Sequence, residues 1–207
     1  MSREAGGVRH GALPTAMRAL PLLCLVAIEP ALAHEQQGQA AGFFSGLAHP
    51  VSGLDHVLAM VAVGLWGAQL GAPAIWVLPV AFPLVMAFGG FLGLLGVPLP
   101  GVEPGIAASA ILLGAMVATE ARPPLGRAAL LVALFALFHG HAHGTELPAG
   151  HSGLFYSVGF VAATGGLHAA GIALGLAHRW RRGQIAIRAA GAAIGTAGVY
   201  FLWRALT

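Results

Sequence analysis

The stretch Phe138 to Glu146, Phe-His-Gly-His-Ala-His-Gly-Thr-Glu, follows an apolar run from Ala128 to Leu137 without a break, so histidines stand where a membrane helix would end. An α-helix turns about 100° per residue, which puts His139, His143 and Glu146 on one face and His141 on the opposite side. Imidazole nitrogen and carboxylate oxygen are ligands that borderline divalent metals accept, and histidines four residues apart can close on one ion without bending the helix. Gly140 and Gly144, also four apart, remove side chains beside them and let a second helix come close. The segment from His49-Pro50 to Asp55-His56 is the candidate for that second helix.

Pro50 disfavours helical geometry at His49 and suits a first turn, so a helix is predicted to begin at Pro50 with His49 at its mouth. His56 returns to nearly the same face as His49, and Met60 lies one turn further along it. An Asp in an apolar helix costs at least ~2.5 kcal/mol at the bilayer centre unless it pairs, binds an ion or meets water. The alternative for Asp55 is a hydrogen bond that orients His56, which would still support a metal if His56 binds one. His139 and His143 could each simply donate to a helix carbonyl. Two of them in register with Glu146, with a second cluster at the same membrane face, favour metal or proton chemistry. The candidate metal ligands are therefore His49, Asp55, His56, His139, His143 and Glu146. His141 reads as capping or facing another helix, and His168 as either an inner relay site or a satisfied core histidine. Met60, Met86 and Met116 read as packing residues, His34, His151 and His178 as surface residues, and Glu120 as an ion-pair partner of Arg122.

Composition sets the elements that must position these residues. The chain is 57% hydrophobic and 8% charged with a mean hydropathy of +0.82, which excludes a soluble globular domain and implies an all-α polytopic membrane protein whose surroundings are the lipid bilayer. Lysine is absent, so no Lys-dependent phosphate loop can exist and any ATPase would be a separate subunit. The +3 formal charge rests on a few arginines beside apolar stretches, a pattern of cytoplasmic loop bias rather than nucleic-acid binding.

Met17-Arg18, the apolar run Ala19 to Ile28 and the small-x-small Ala31-Leu32-Ala33 have the parts of a secretory signal peptide, so residues 1–33 are expected to be removed, with Met17 an alternative start. The sole cysteine, Cys24, would leave with it, and a site in residues 34–207 must use nitrogen and oxygen. After a polar segment from His34 to Gln39, six apolar stretches are near the length that spans ~30 Å of hydrocarbon. They run Pro50 to Leu70, Ala74 to Leu95, Gly105 to Thr119, Gly126 to Glu146, Leu154 to Ala177 and Ile187 to Leu206. Arg122 and Arg127, and Arg179, Arg181, Arg182 and Arg188, then mark cytoplasmic loops, placing both histidine groups at the outer face. Glycines spaced at four, as in Gly171-x-x-x-Gly175 and Gly191-x-x-x-Gly195, read as helix-packing faces within one chain or between copies in a homo-oligomer.

His49-Pro50, Gly53, Asp55-His56 and Met60, together with Phe138-His139-Gly140-His141-Ala142-His143-Gly144-Thr145-Glu146, resemble the two signature motifs of the HupE/UreJ family, and the likeness covers essentially the whole mature chain. The resemblance implies a multi-pass permease of the bacterial inner membrane that imports nickel, or cobalt, for hydrogenase or urease maturation. It also implies His49, Asp55, His56, His139, His143 and Glu146 as the functional positions, with the ion as cargo rather than a permanently bound cofactor. With no nucleotide motif, transport would be secondary. The rival from another class is an intramembrane zinc hydrolase, with His56, His139 and His143 holding zinc and Asp55 or Glu146 activating water.

Overall fold

The computed structural model describes residues 40–147, 150 and 152–207. The signal-peptide reading of residues 1–33, including Met17 and Cys24, and the surface readings of His34 and His151 lie outside the described residues. Within them the chain is helical and carries no strand: α1 (Ala40–Ser52), α2 (Leu54–Leu70), α3 (Ala74–Leu94), α4 (Val102–Thr119), α5 (Leu125–Thr145), α6 (Gly153–Gly175) and α7 (Arg181–Leu206). A single 3-10 turn, Leu176–Arg179, extends α6. Helices α3 to α7 are each long and apolar enough to cross a membrane, and α1 and α2, bent by 82° at their junction, meet the same test only as a pair. The protein is an all-α polytopic membrane protein. The outward face of α3 carries Trp76, Val80, Leu84, Phe88 and Phe91, all exposed, as a surface meant for lipid requires.

Two boundaries differ from expectation by more than a turn. The first span does not begin at Pro50: residues Ala40–Ser52 form a helix of their own, Pro50 lies inside it, and the chain breaks at Gly53, whose φ of −104° and ψ of 119° are extended. Pro50 has no N–H to give the Gly46 carbonyl, so α1 loses one hydrogen bond in the turn before it ends. His49 is accordingly a helical residue of α1. The last span begins at Arg181 rather than Ile187, because arginine and glutamine are good helix formers and charge alone does not end a helix.

Packing depends on backbones that touch. Gly89, Gly90 and Gly93 of α3 lie against Leu137, Gly140, His141 and Gly144 of α5, and the two helices run parallel. Gly64 of α2 meets His168 and Gly171 of α6, again parallel, while Gly114 of α4 meets Gly191 and Gly195 of antiparallel α7. α4 stops at Glu120, which has a left-handed φ of 53°, and its last carbonyls are met by side chains from elsewhere. Trp66 Nε1 donates to Ala121 O at 2.9 Å, Gln69 Nε2 to Val117 O at 3.0 Å and Arg188 Nε to Ala118 O at 2.9 Å. The ends of α2 and α4 and the start of α7 thus gather with the arginines at one end of the bundle. Among the described residues Glu120 makes no ion pair with Arg122; it terminates a helix instead. Met60 and Met86 are core residues and Met116 packs against that core, as expected.

Candidate metal centre

His49, His56, His139 and His143 gather at the end of the bundle opposite Arg122, Arg127, Arg181 and Arg188, where three breaks in regular helix meet: Gly53 between α1 and α2, the end of α5, and the start of α6. Asp55 and His56 occupy the first turn of α2. Asp55 Oδ1 accepts from the His56 backbone N–H at 2.9 Å and from His56 Nδ1 at 2.8 Å. That bond puts the His56 proton on Nδ1 and leaves Nε2, which is buried without a partner, as a lone-pair donor. Gly53 makes room for this pair: a Cβ there would stand 2.8 Å from Asp55 Oδ1 and 3.0 Å from His56 Nδ1.

On α5, His139 Nδ1 donates to Phe135 O at 2.9 Å, so its buried Nε2 is likewise free of a proton and of a partner. His143, one turn on, has both ring nitrogens buried and unpartnered. Glu146 caps the helix and places Oε2 4.0 Å from His143 Nδ1 and 3.1 Å from His49 Nε2. One ligand atom each from His49, His143 and Glu146 lies within 4.8 Å of the other two.

The four imidazoles form a contiguous series. Ring centroids are 4.7 Å apart from His49 to His143, 4.6 Å from His143 to His56 and 4.9 Å from His56 to His139. Side-chain exposure is 54% at Glu146 and 24% at His49, then 6% at His143, 14% at His56 and nothing at His139, so the series has an open end and a closed one without falling at every step. Unprotonated nitrogens aimed inward, with a carboxylate at the open end, suit a divalent cation that sheds water in steps.

The two motifs therefore meet, and five of the six candidate residues face one another. Asp55 is the exception, since the oxygen seen engaged is spent on His56. The helix that closes on Gly140 and Gly144 is α3, not the first span as expected; α1 and α2 reach the imidazoles from the adjacent face. His141 points away and donates from Nε2 to Val97 O at 2.7 Å, a carbonyl of the connection after α3 rather than of a facing helix. His178 is half-buried, its Nδ1 donating to Gly175 O at 2.8 Å.

Aromatic walls escaped the sequence reading. Phe160 of α6 lies 4.3 Å from the His143 ring and Tyr156 5.9 Å from His49, while Phe82 of α3 lies 5.5 Å from His139. No spacing signal ties these rings to the histidines, because only tertiary packing brings α3 and α6 there. A cavity of about 260 Å³ between α3, α5 and α6 opens beside His143 and is bordered by Met86, Gly140, Tyr156 and Phe160.

A broken first span, a glycine-packed bundle and a buried imidazole series at one end define a polytopic membrane protein with a histidine-rich centre. The family model described as HupE / UreJ protein matches residues 22–201, and the chain belongs to that family. It is 45% identical over 196 residues to Protein HupE of Rhizobium leguminosarum bv. viciae, a match covering 94% of this chain and 99% of that protein. No solved structure matches it.

Proposed function

We propose that the protein is a secondary permease that imports nickel, with cobalt as the alternative cargo, across the bacterial inner membrane for metalloenzyme maturation. The observation that carries this reading is the unbroken imidazole series from the exposed Glu146–His49 end to the fully buried His139. Glu146 and His49 receive the hydrated ion at the exposed end, and His143, with two unpartnered nitrogens, passes it to His56 and His139. Asp55 keeps the His56 proton on Nδ1 and so keeps Nε2 available. Arginine at the other end supports a cytoplasmic location for that end and an outward-facing histidine mouth. Family membership agrees with a transport role rather than catalysis.

Uptake of radiolabelled nickel or cobalt into proteoliposomes tests the proposal. The parent is expected to accumulate the ion, and His56→Ala and His143→Ala to lose it; uptake retained in both would refute the assignment. The hydrolase reading places a substrate in the cavity beside His143 and predicts turnover of a lipid or peptide with no ion flux.

A further inference from the structure

The outer imidazoles do not end the series of rings. Beyond His139 stands Phe82, fully buried on α3, and beyond Phe82 stands His168 on α6, with 5.3 Å between the last two ring centroids. His168 is buried at mid-helix and neither ring nitrogen has a hydrogen-bond partner. An imidazole kept only for packing would leave two polar atoms unmet, a cost that a Leu or Met of similar volume avoids. Thr164, one turn earlier on the same face of α6, is also fully buried, and its hydroxyl is unpartnered.

The third group comes from α3. In an unbroken helix the Pro79 carbonyl would accept from residue 83, but that residue is a proline and has no N–H to give. This carbonyl lies close enough to the His168 ring to interact with it, though not in full hydrogen-bond geometry. A ring nitrogen, a hydroxyl and a carbonyl released from helix bonding make up the same nitrogen and oxygen chemistry as the outer cluster. Carbonyls freed by helix breaks serve ions in the same manner in other transporter architectures.

We propose that His168 is an inner coordination site for the transported divalent cation and that Phe82 is the gate between it and the outer imidazoles. The inference rests on the permease reading and extends it. A cation at His139 faces the hydrocarbon ring of Phe82, which must swing aside for the ion to advance. Pro79 and Pro83 flank Phe82 and leave α3 without two amide donors at that level, which lets the helix bend there. His168, with Thr164 and the Pro79 carbonyl, then takes up the ion before release toward the arginine end.

Equilibrium dialysis with radiolabelled nickel, run beside proteoliposome uptake on the full chain, tests both parts. His168→Ala is expected to bind one ion fewer than the parent at saturation and to lose uptake by roughly tenfold or more, the scale of losing support to a metal ligand. Phe82→Ala is expected to reach the parental ion count faster and to let nickel leak from preloaded liposomes. An unchanged ion count in His168→Ala overturns the inner site whatever its uptake does, and an unchanged filling rate in Phe82→Ala overturns the gate. Loss of only the response to an imposed pH gradient in His168→Ala, with the ion count intact, also overturns the site and makes the residue a proton carrier. Nickel that binds the parent but never enters liposomes refutes the permease reading separately, and the ion count still decides the inner site.

Discussion

Two helix crossings in this bundle are built alike and differ in what they carry. At α3–α5, Met86 and Gly90 backbone atoms sit where Cβ atoms on Gly140 and Gly144 would be; at α4–α7, Gly191 and Gly195 backbone atoms sit where a Cβ on Gly114 would be. Between the glycines of α5 stand imidazoles, whereas the α4–α7 crossing is lined by groups such as Ile111, Val117 and Ile194. With Gly140 turned toward α3, the helical period sends His139 and His143 about 100° and 60° to one side and His141 about 100° to the other. Glycine contact is therefore a general adhesive in this membrane protein, and at α5 the same contact also aims histidines at α1, α2 and α6. The lesson is that close packing and chemistry are separable in α4–α7 and inseparable in α3–α5.

The comparison can be broken by substitution. Gly140→Ala forces α5 away from α3, so it is expected to lower thermal stability by about 1–3 kcal/mol, the usual range for overpacking, and to abolish nickel uptake together with any nickel-dependent rise in melting temperature. Gly114→Ala is expected to lose stability on the same scale while keeping its nickel-dependent rise. Detergent melting curves with and without nickel separate the two. Equal loss of the nickel response in both would mean the crossings are not functionally distinct.

Smaller effects sharpen the picture within the site. Asp55→Asn, which weakens the hold on the His56 proton, is expected to reduce nickel affinity by about 10- to 100-fold with little change in folding. Gly53→Ala should fold, because the colliding atoms are side-chain ends, yet displace the Asp55–His56 bond and weaken uptake in the same direction. Uptake is also expected to fall as the external medium is acidified, since protons compete with the ion for neutral nitrogen; uptake unchanged down to strongly acidic medium would count against histidine ligation. The smallest effect belongs to His141→Ala, which forfeits the bond to Val97 O, about 1 kcal/mol of stability, and should leave uptake near the parental rate.

Much of this was legible in the sequence. Apolar length set the spans, the period of the α5 helix separated His141 from His139 and His143, and the arginines marked the end opposite the histidines. The break at Gly53 was not legible, because Pro50 is a usual first-turn residue and so marks a helix start, whereas the helix begins at Ala40 and runs past it. Nor was the partner of Gly140 and Gly144, since glycine spacing shows that a helix approaches but not which one. Glu120 looked like half of an ion pair because Arg122 follows it, whereas its left-handed backbone serves to end α4. The link through Phe82 to His168 needs α3 and α6 side by side, and nothing in either segment announces the other.

The central claim is that imidazoles from the α1–α2 segment and from the end of α5 hold one ion together. X-ray absorption at the nickel edge of protein loaded with a single equivalent reads this directly, because imidazole rings give a distinct outer-shell scattering. The parent should show imidazole scattering that diminishes in both His49→Ala and His143→Ala; full scattering retained in either variant, or none in the parent, would contradict the account.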